Sequence, residues 1–358
     1  MSSSDDEYEI AVVGGGPAGL TTALYGARLG HETVLIDRGG GRAAMMAHTH
    51  NVIGVTEETS GNELLQTGLE QVQSYGGTFE RGFVTDVERT DDDRFRLTTN
   101  DVELLADRVV LATGFSDTRP DPPLPRNAKG LHWCLHCDAY MFVDESVYVM
   151  GHGESAAHVA MIMLNMTDDV DILTRGEEPT WSEETAAQLD AHPVDVIHED
   201  VTGIENDPES GWLEAMEFAD GTRREYRAGF PMYGSDYNTA LAEGLGCDLT
   251  ESGEIDVDDH GRTSEDGVFA VGDITPGHNQ VPVAMGQGAK AGLAIHKEIR
   301  KFPRSKEAIA RDGPVSADDV PAISPELMAT AVAHEGHAGG PRDDAVSKPD
   351  GEKPAADD

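Results

Sequence analysis

The sequence predicts an α/β protein with two doubly wound, Rossmann-like dinucleotide-binding domains. Three observations predict it. An apolar, β-branched stretch near the N-terminus runs into a glycine-rich turn and a helix; the same pattern returns from Ser146; and the Pro-rich stretch "SDTRPDPPLPRNAKG" lies between them as a crossing between domains. At 358 residues the chain is long enough for two such domains and their cores.

The elements follow in order. "YEIAVV" is apolar enough for a parallel strand buried on both faces. "GGGPAG" opens a helix from Ala18 to Gly30, and "TVLID" is the next strand, ending at Asp37. Ser60 and Glu63 have capping-box spacing, which starts a helix through about Tyr75. Short strands are expected near 77–88, 95–98 and 102–105, and "DRVVLATG" is expected as a further buried strand. Beyond the crossing, "SVYVM", "GHGESA", a helix from Ala156 to Met166 and "DVDILT" repeat the first pattern. A β-rich stretch covers about 194–230, and "GVFAVGD" then leads into the helix "VPVAMGQGAKAGLAIHKEIR". From Pro303 the chain is rich in acid, alanine and proline. A short helix around 325–332 and otherwise disorder are expected there, and His334 and His337 are not read as a metal site.

Charge narrows the function classes. Lys and Arg number 26 against 67 Asp and Glu, a formal net charge of −41. Such a field repels nucleic acid and anionic membrane surfaces, so neither is expected as a partner. The acid is spread along the whole chain, which suits a protein kept soluble in concentrated salt and points to a halophilic host. The N-terminal stretch lacks the pattern of a secretory signal, and no apolar run approaches the ~18 residues of a membrane span. A cytoplasmic location is expected, and the three cysteines are too few for a disulfide scaffold.

The first glycine loop is Gly14-Gly15-Gly16-Pro17-Ala18-Gly19. Gly14 permits the tight turn, Gly16 lets the backbone approach a pyrophosphate, and Gly19 lets the helix pack on the strand. The anion would sit at the helix N-terminus, and Asp37 is placed to accept from ribose hydroxyls. The second loop is Gly151-His152-Gly153-Glu154-Ser155-Ala156. Its following strand ends in Thr174 and Arg175 instead of an acid; an arginine there can pair with a 2′-phosphate, while Glu177 and Glu178 oppose one. FAD in one loop and a nicotinamide nucleotide, NADPH or NADH, in the other is the economical chemistry, because flavin accepts hydride and passes electrons to a disulfide.

"LHWCLHCDAYMF" (Leu131 to Phe142) lies between the loops and holds Cys134 and Cys137. A redox pair needs these two cysteines at disulfide reach and a lowered thiol pKa. A zinc site needs more ligands, which His132 and His136 could supply. Asp138, directly after Cys137, reads either as a proton carrier or as a turn residue. Trp133 reads as packing or partner contact, and Cys247 as a buried bystander.

With these motifs in this order, the chain resembles the low-molecular-weight thioredoxin reductases from about Tyr8 to Lys301. The resemblance rests on "GGGPAG", "ATG" at 112–114, "CLHCD" at 134–138, "GHGESA" and "GVFAVGD" at 267–273. It implies a homodimeric flavoprotein whose FAD-binding domain (1–116 and 233–302) is interrupted by a nicotinamide domain (117–232) carrying the redox pair, with an acidic tail at 303–358. It implies catalytic roles for Cys134 (interchange thiol), Cys137 (flavin-proximal) and Asp138 (acid/base). Gly14, Gly16, Pro17, Ala18, Gly19, Asp37, Asn51, Thr113, Gly114, Gly272, Asp273 and Gln280 would hold FAD. Gly151, Gly153, Ser155 and Arg175 would hold NADPH or NADH, with thioredoxin or a similar small disulfide protein as partner. The family alternates two domain orientations, and the Pro-rich crossing and "YGSDYN" are where its hinge is expected.

Departures open other readings. A lone Arg175 stands where NADPH members carry a doubled arginine, and "GGGRAAMMAHTHNVIG" looks more like the related FAD-dependent dithiol oxidases. Asp138 follows the second cysteine as in the reductases. A dithiol oxidase, a ferredoxin-fed disulfide reductase, and a non-catalytic flavin-binding redox sensor are the alternatives.

Overall fold

In the computed structural model, which describes residues 6–320 and 324–334, the opening apolar stretch is the strand Asp6–Val13. It runs parallel to Thr33–Asp37 on one side and Glu103–Leu111 on the other, with Val12 opposite Leu35 and Val110. Ile10, Ala11 and Val12 are fully buried, which is why this strand reads as an unbroken apolar run. The helix Pro17–Arg28 begins with proline at its first turn and packs on the long helix Val281–Ile299. Small residues make that crossing close: a Cβ on Gly288 would lie 2.3 Å from the Ala18 carbonyl oxygen, and Thr22 Oγ1 donates to the Gly288 carbonyl at 3.2 Å.

Two stretches expected as separate strands, 102–105 and "DRVVLATG", are one strand, Glu103–Leu111. Its first half pairs antiparallel with Phe95–Thr99, and its second half pairs parallel with Val268–Ala270. Asp107 and Arg108 interrupt the apolar pattern midway; they are half-buried and ion-paired to Arg94 (3.2 Å) and Glu298 (3.4 Å), so the strand continues through them. Ser60 and Glu63 form the expected reciprocal cap on the helix Gly61–Ser74, with Ser60 N–H donating to Glu63 at 2.8 Å.

The second sheet is parallel throughout. Val147–Met150 lies between Val170–Leu173 and Ala228–Pro231, with Val194–Ile197 and Gly130–Leu131 beyond them. A separate antiparallel sheet joins Val201–Asn206, Leu213–Phe218 and Arg223–Glu225. The fold is therefore α/β with two Rossmann-like sheets, as the sequence predicts.

The chain divides into two compact units, one of residues 1–41, 64–114 and 239–358 and one of 42–63 and 115–238. Within the second, Phe115–Asp117 and Ser235–Tyr237 pair as a two-stranded antiparallel ribbon. Arg42 donates twice to the Asp117 carboxylate (2.8 and 3.1 Å) and lies over the Phe115 ring, which ties segment 42–63 to this unit although it precedes the crossing in sequence.

In the tail, the helix Lys306–Asp312, capped by Ser305, stands where disorder is expected. The helix Pro325–Ala333, capped by Ser324, packs on the first unit: Thr330 Oγ1 donates to the Ser74 carbonyl, and His334 stacks on Tyr75. His337 lies outside the described residues.

Candidate functional site

Cys134 ends an extended segment and caps the single helical turn Leu135–Asp138, its sulfur accepting from Cys137 N–H at 3.1 Å. One turn puts residues three apart on the same face. Here the two Cα atoms are 5.3 Å apart and the sulfurs are bonded as a disulfide. Asn51, expected at flavin, is placed beside this pair, with Nδ2 3.9 Å from Cys137 Sγ. The neighbouring His50 pairs through Nδ1 with the Tyr140 hydroxyl at 2.6 Å and stacks on His48. Burial, with Glu57 and Asp138 nearby, pushes the Tyr140 phenol up. Cys247 is 6% exposed, and burial pushes its thiol up, opposed by its hydrogen bond to Thr263.

His132 is the residue the sequence reading missed as part of this centre, weighing it only as a metal ligand. It follows the strand Gly130–Leu131, and its backbone N–H donates to the Gly229 carbonyl, which turns the ring into the core. Its Nδ1 lies 2.8 Å from Asp138 Oδ2. The ring is 4% exposed among Phe142, Phe230 and Trp212, and Nε2 has no hydrogen-bond partner among the described residues. An unmet buried polar atom costs about 1–3 kcal/mol. No spacing rule finds this pair, because the chain turns between its two members.

In the first glycine loop, Gly14 has φ +111°, and a Cβ there would lie 2.3 Å from the Ala112 carbonyl oxygen. A Cβ on Gly19 would lie 1.9 Å from the Gly14 carbonyl oxygen, so Gly19 sets the helix against the strand. Around Gly16 no described atom lies within 4 Å of a Cβ position, leaving a cradle beside the helix start at Pro17 and Ala18. The Asp37 carboxylate accepts from Gly15 N–H (2.9 Å) and Gly39 N–H (2.8 Å) and retains lone pairs for ribose hydroxyls. Gly272 packs on Ala18, and its N–H donates to Gln287 at 2.9 Å. Thr113 and Gly114 follow the strand Glu103–Leu111, Asp273 follows Gly272, and Gln280 caps the helix Val281–Ile299, all within this unit. This set fits a flavin nucleotide.

In the second loop, Gly151 has φ +147° and a Cβ on Gly153 would meet only Thr180 Oγ1, at 3.8 Å. Ser155 is exposed at the second position of the helix Glu154–Met163. Glu154 accepts from Thr185 and Ser182, which hold its carboxyl below the usual range. His152 Nδ1 is buried with no partner among the described residues. These features fit a pyrophosphate. Arg175 does not fit a 2′-phosphate clamp. Its side chain is 8% exposed, its guanidinium donates to the Asp121 carbonyl oxygen, and Asp200 lies 4.0 Å from Nε.

Residues 8–288 match the family Pyridine nucleotide-disulphide oxidoreductase. The chain belongs to that family. It is an FAD-dependent disulfide oxidoreductase. A thioredoxin reductase of Peptoclostridium litorale is 31% identical over 315 residues, covering 83% of this chain and 99% of that protein. One of the subunits of alkyl hydroperoxide reductase from Staphylococcus aureus is 30% identical, with 80% of this chain matching 58% of that protein. The crystal structure of thioredoxin reductase from Streptococcus pyogenes superposes with a TM-score of 0.76 at 26% identity, covering 84% of this chain and 100% of that one. As a family member, the chain carries a disulfide in the same unit as its second glycine loop. No described helix is long and apolar enough to cross a membrane.

Proposed function

We propose that this oxidoreductase is of the thioredoxin reductase type, passing electrons from a reduced nicotinamide nucleotide through FAD and the Cys134–Cys137 disulfide to the disulfide of thioredoxin or a similar small protein. The observation that carries the reading is the Cys134–Cys137 disulfide followed directly by Asp138, in a chain whose thioredoxin reductase relative matches over 99% of its length. Flavin, when bound, accepts a hydride equivalent and delivers two electrons to a disulfide. Gly14, Gly16, Pro17, Ala18, Gly19, Asp37, Thr113, Gly114, Gly272, Asp273 and Gln280 would hold it; Gly151, Gly153 and Ser155 would hold the nicotinamide nucleotide. Asn51, beside Cys137, would join the residues that hold the flavin. Cys134 attacks the partner disulfide, Cys137 resolves the mixed disulfide, and Asp138 moves the proton.

The labour is divided as the sequence suggests, with flavin on 1–116 and 233–302 and nicotinamide on 117–232. The tail at 303–358 is an appendage. The enzyme works in the cytoplasm as a homodimer, in a halophilic host.

An anaerobic titration of the flavin band with NADH and NADPH tests the donor. Bleaching by either supports the reading; bleaching by neither overturns it. In Cys134→Ser, protein disulfide reduction stops while flavin bleaching continues. Arg175 favours a second reading in part, because a corner without a free guanidinium also suits a non-nicotinamide donor or a dithiol oxidase. Reduction by ferredoxin alone, or oxygen uptake with a small dithiol, would select those.

A further inference from the structure

We propose that His132 is a positioning residue that holds Asp138 as an oriented carboxylate for proton transfer at the redox pair. This rests on the reading of Cys134, Cys137 and Asp138 as the exchange centre.

An ionised carboxylate only accepts hydrogen bonds, so the 2.8 Å contact to Asp138 Oδ2 puts the imidazole proton on Nδ1. Nε2 then faces its aromatic surroundings as an acceptor with no donor among the described residues. A phenylalanine or leucine would fill the space between Phe142, Phe230 and Trp212 without that penalty, so packing does not account for a histidine here. What an apolar ring cannot supply is the N–H to Asp138.

Among the described residues, these titratable groups lie around the pair. Tyr140 senses Asp138 from the following turn, His136 is exposed on the same helical turn, and Cys134 and Cys137 precede it. On the far side of the ring, Arg227 lies over Trp212, 3.9 Å from its centroid. His132 is thus the group that fixes the direction of the carboxylate.

In the dithiol form, a proton passes from Cys134 Sγ to the Asp138 carboxylate. The resulting thiolate attacks the partner disulfide, one S–S bond forms, and the partner's S–S bond breaks with its electron pair on the leaving sulfur. Asp138 gives that proton to the leaving sulfur and then takes the proton of Cys137, whose thiolate attacks Cys134 Sγ; the Cys134–Cys137 bond forms, the mixed disulfide breaks with its electron pair on the partner's second sulfur, and that sulfur takes the proton, so the dithiol is oxidised and the partner reduced. The bond from His132 Nδ1 fixes one carboxylate oxygen of Asp138 in direction; without it the carboxylate turns freely and meets the thiol less often.

The test uses the full-length protein, reduced with dithiothreitol, desalted and mixed with 5,5′-dithiobis(2-nitrobenzoate) from pH 4 to 9. The readout is dithiol reactivity and needs neither nicotinamide nor thioredoxin, so it stands apart from the proposed electron donor and acceptor. In His132→Phe the second-order rate constant falls by at least about threefold across the range, because the carboxylate is no longer held for proton transfer. In His132→Asn, whose amide can donate from nearly the same position, the wild-type profile returns. In Asp138→Asn, adding His132→Phe changes nothing further. A wild-type profile in a His132→Phe protein of unchanged near-ultraviolet circular dichroism overturns the proposal. So does a His132→Phe loss of rate that persists when Asp138 is Asn. If His132→Phe does not fold, the comparison of His132→Asn with Asp138→Asn decides: an Asn variant behaving like Asp138→Asn overturns it.

Discussion

The guanidinium of Arg175 donates to the backbone carbonyl of Asp121, across the end of the sheet that carries the second glycine loop. A side chain so placed is a structural brace. A guanidinium pairing with a 2′-phosphate would favour NADPH more than tenfold. Arg175→Ala should therefore change the ratio of NADH to NADPH concentrations needed for half-bleaching by less than about threefold. Its thermal midpoint should drop by several degrees. A tenfold loss of NADPH preference in this variant would show that the arginine swings out to the nucleotide.

Gly16 and Gly19 differ by the space around them, and two substitutions should separate their roles. Gly19→Ala would set a Cβ 1.9 Å from a backbone oxygen and should cost about 3 kcal/mol of stability, read as a shift in urea midpoint. Gly16→Ala meets no described atom within 4 Å and should leave the apoprotein within about 0.5 kcal/mol of wild type. The same methyl intrudes on the cradle, so the flavin dissociation constant should rise at least about tenfold, or 1.4 kcal/mol. Unchanged flavin affinity in Gly16→Ala would remove this loop from the site.

Glu9, His31 and His296 form a chain at the N-terminal end of the first sheet. His31 Nδ1 lies 3.2 Å from Glu9, and its Nε2 lies 2.9 Å from His296 Nδ1. The bond from His31 holds the Glu9 carboxyl below its usual range against the effect of burial, with the Glu32 N–H and Lys301 assisting. A depressed carboxyl stabilises the fold above its unfolded pKa and loses that contribution as pH falls through the folded value. Glu9→Gln should cost about 0.5–1 kcal/mol at pH 7, and the gap should close between about pH 5 and 3. Urea midpoints across that range measure it; a gap unchanged at pH 3 would assign the loss to packing instead.

A net charge of −41 makes self-repulsion a standing cost to the compact state. The screening length falls from about 10 Å at 0.1 M salt to about 3 Å at 1 M. The thermal midpoint should therefore rise by several degrees between those KCl concentrations and then flatten. A midpoint indifferent to KCl would count against salt adaptation.

Much of this molecule is legible from local pattern. The glycine loops, Asp37, the Ser60–Glu63 cap and the Cys134/Cys137 spacing lie on short contiguous segments, where backbone geometry dictates residue type within a few positions. The strand Glu103–Leu111 misled the reading because its charged middle, Asp107 and Arg108, resembles a break until Arg94 and Glu298 are seen to pair with it. The helix Lys306–Asp312 was hidden by an acid-rich, poorly apolar composition.

By itself, then, the sequence determined the α/β class, the two glycine loops, and the close cysteine pair with its following acid, all of them properties of chain-local periodicity and spacing. Only the tertiary structure decided that Arg175 braces Asp121, that Asn51 sits by Cys137, and that His132 faces Asp138 from within an aromatic core. These are pairings between side chains brought together by a turn, a crossing or a sheet edge. Their energies depend on burial and direction, and residue order along the chain carries neither.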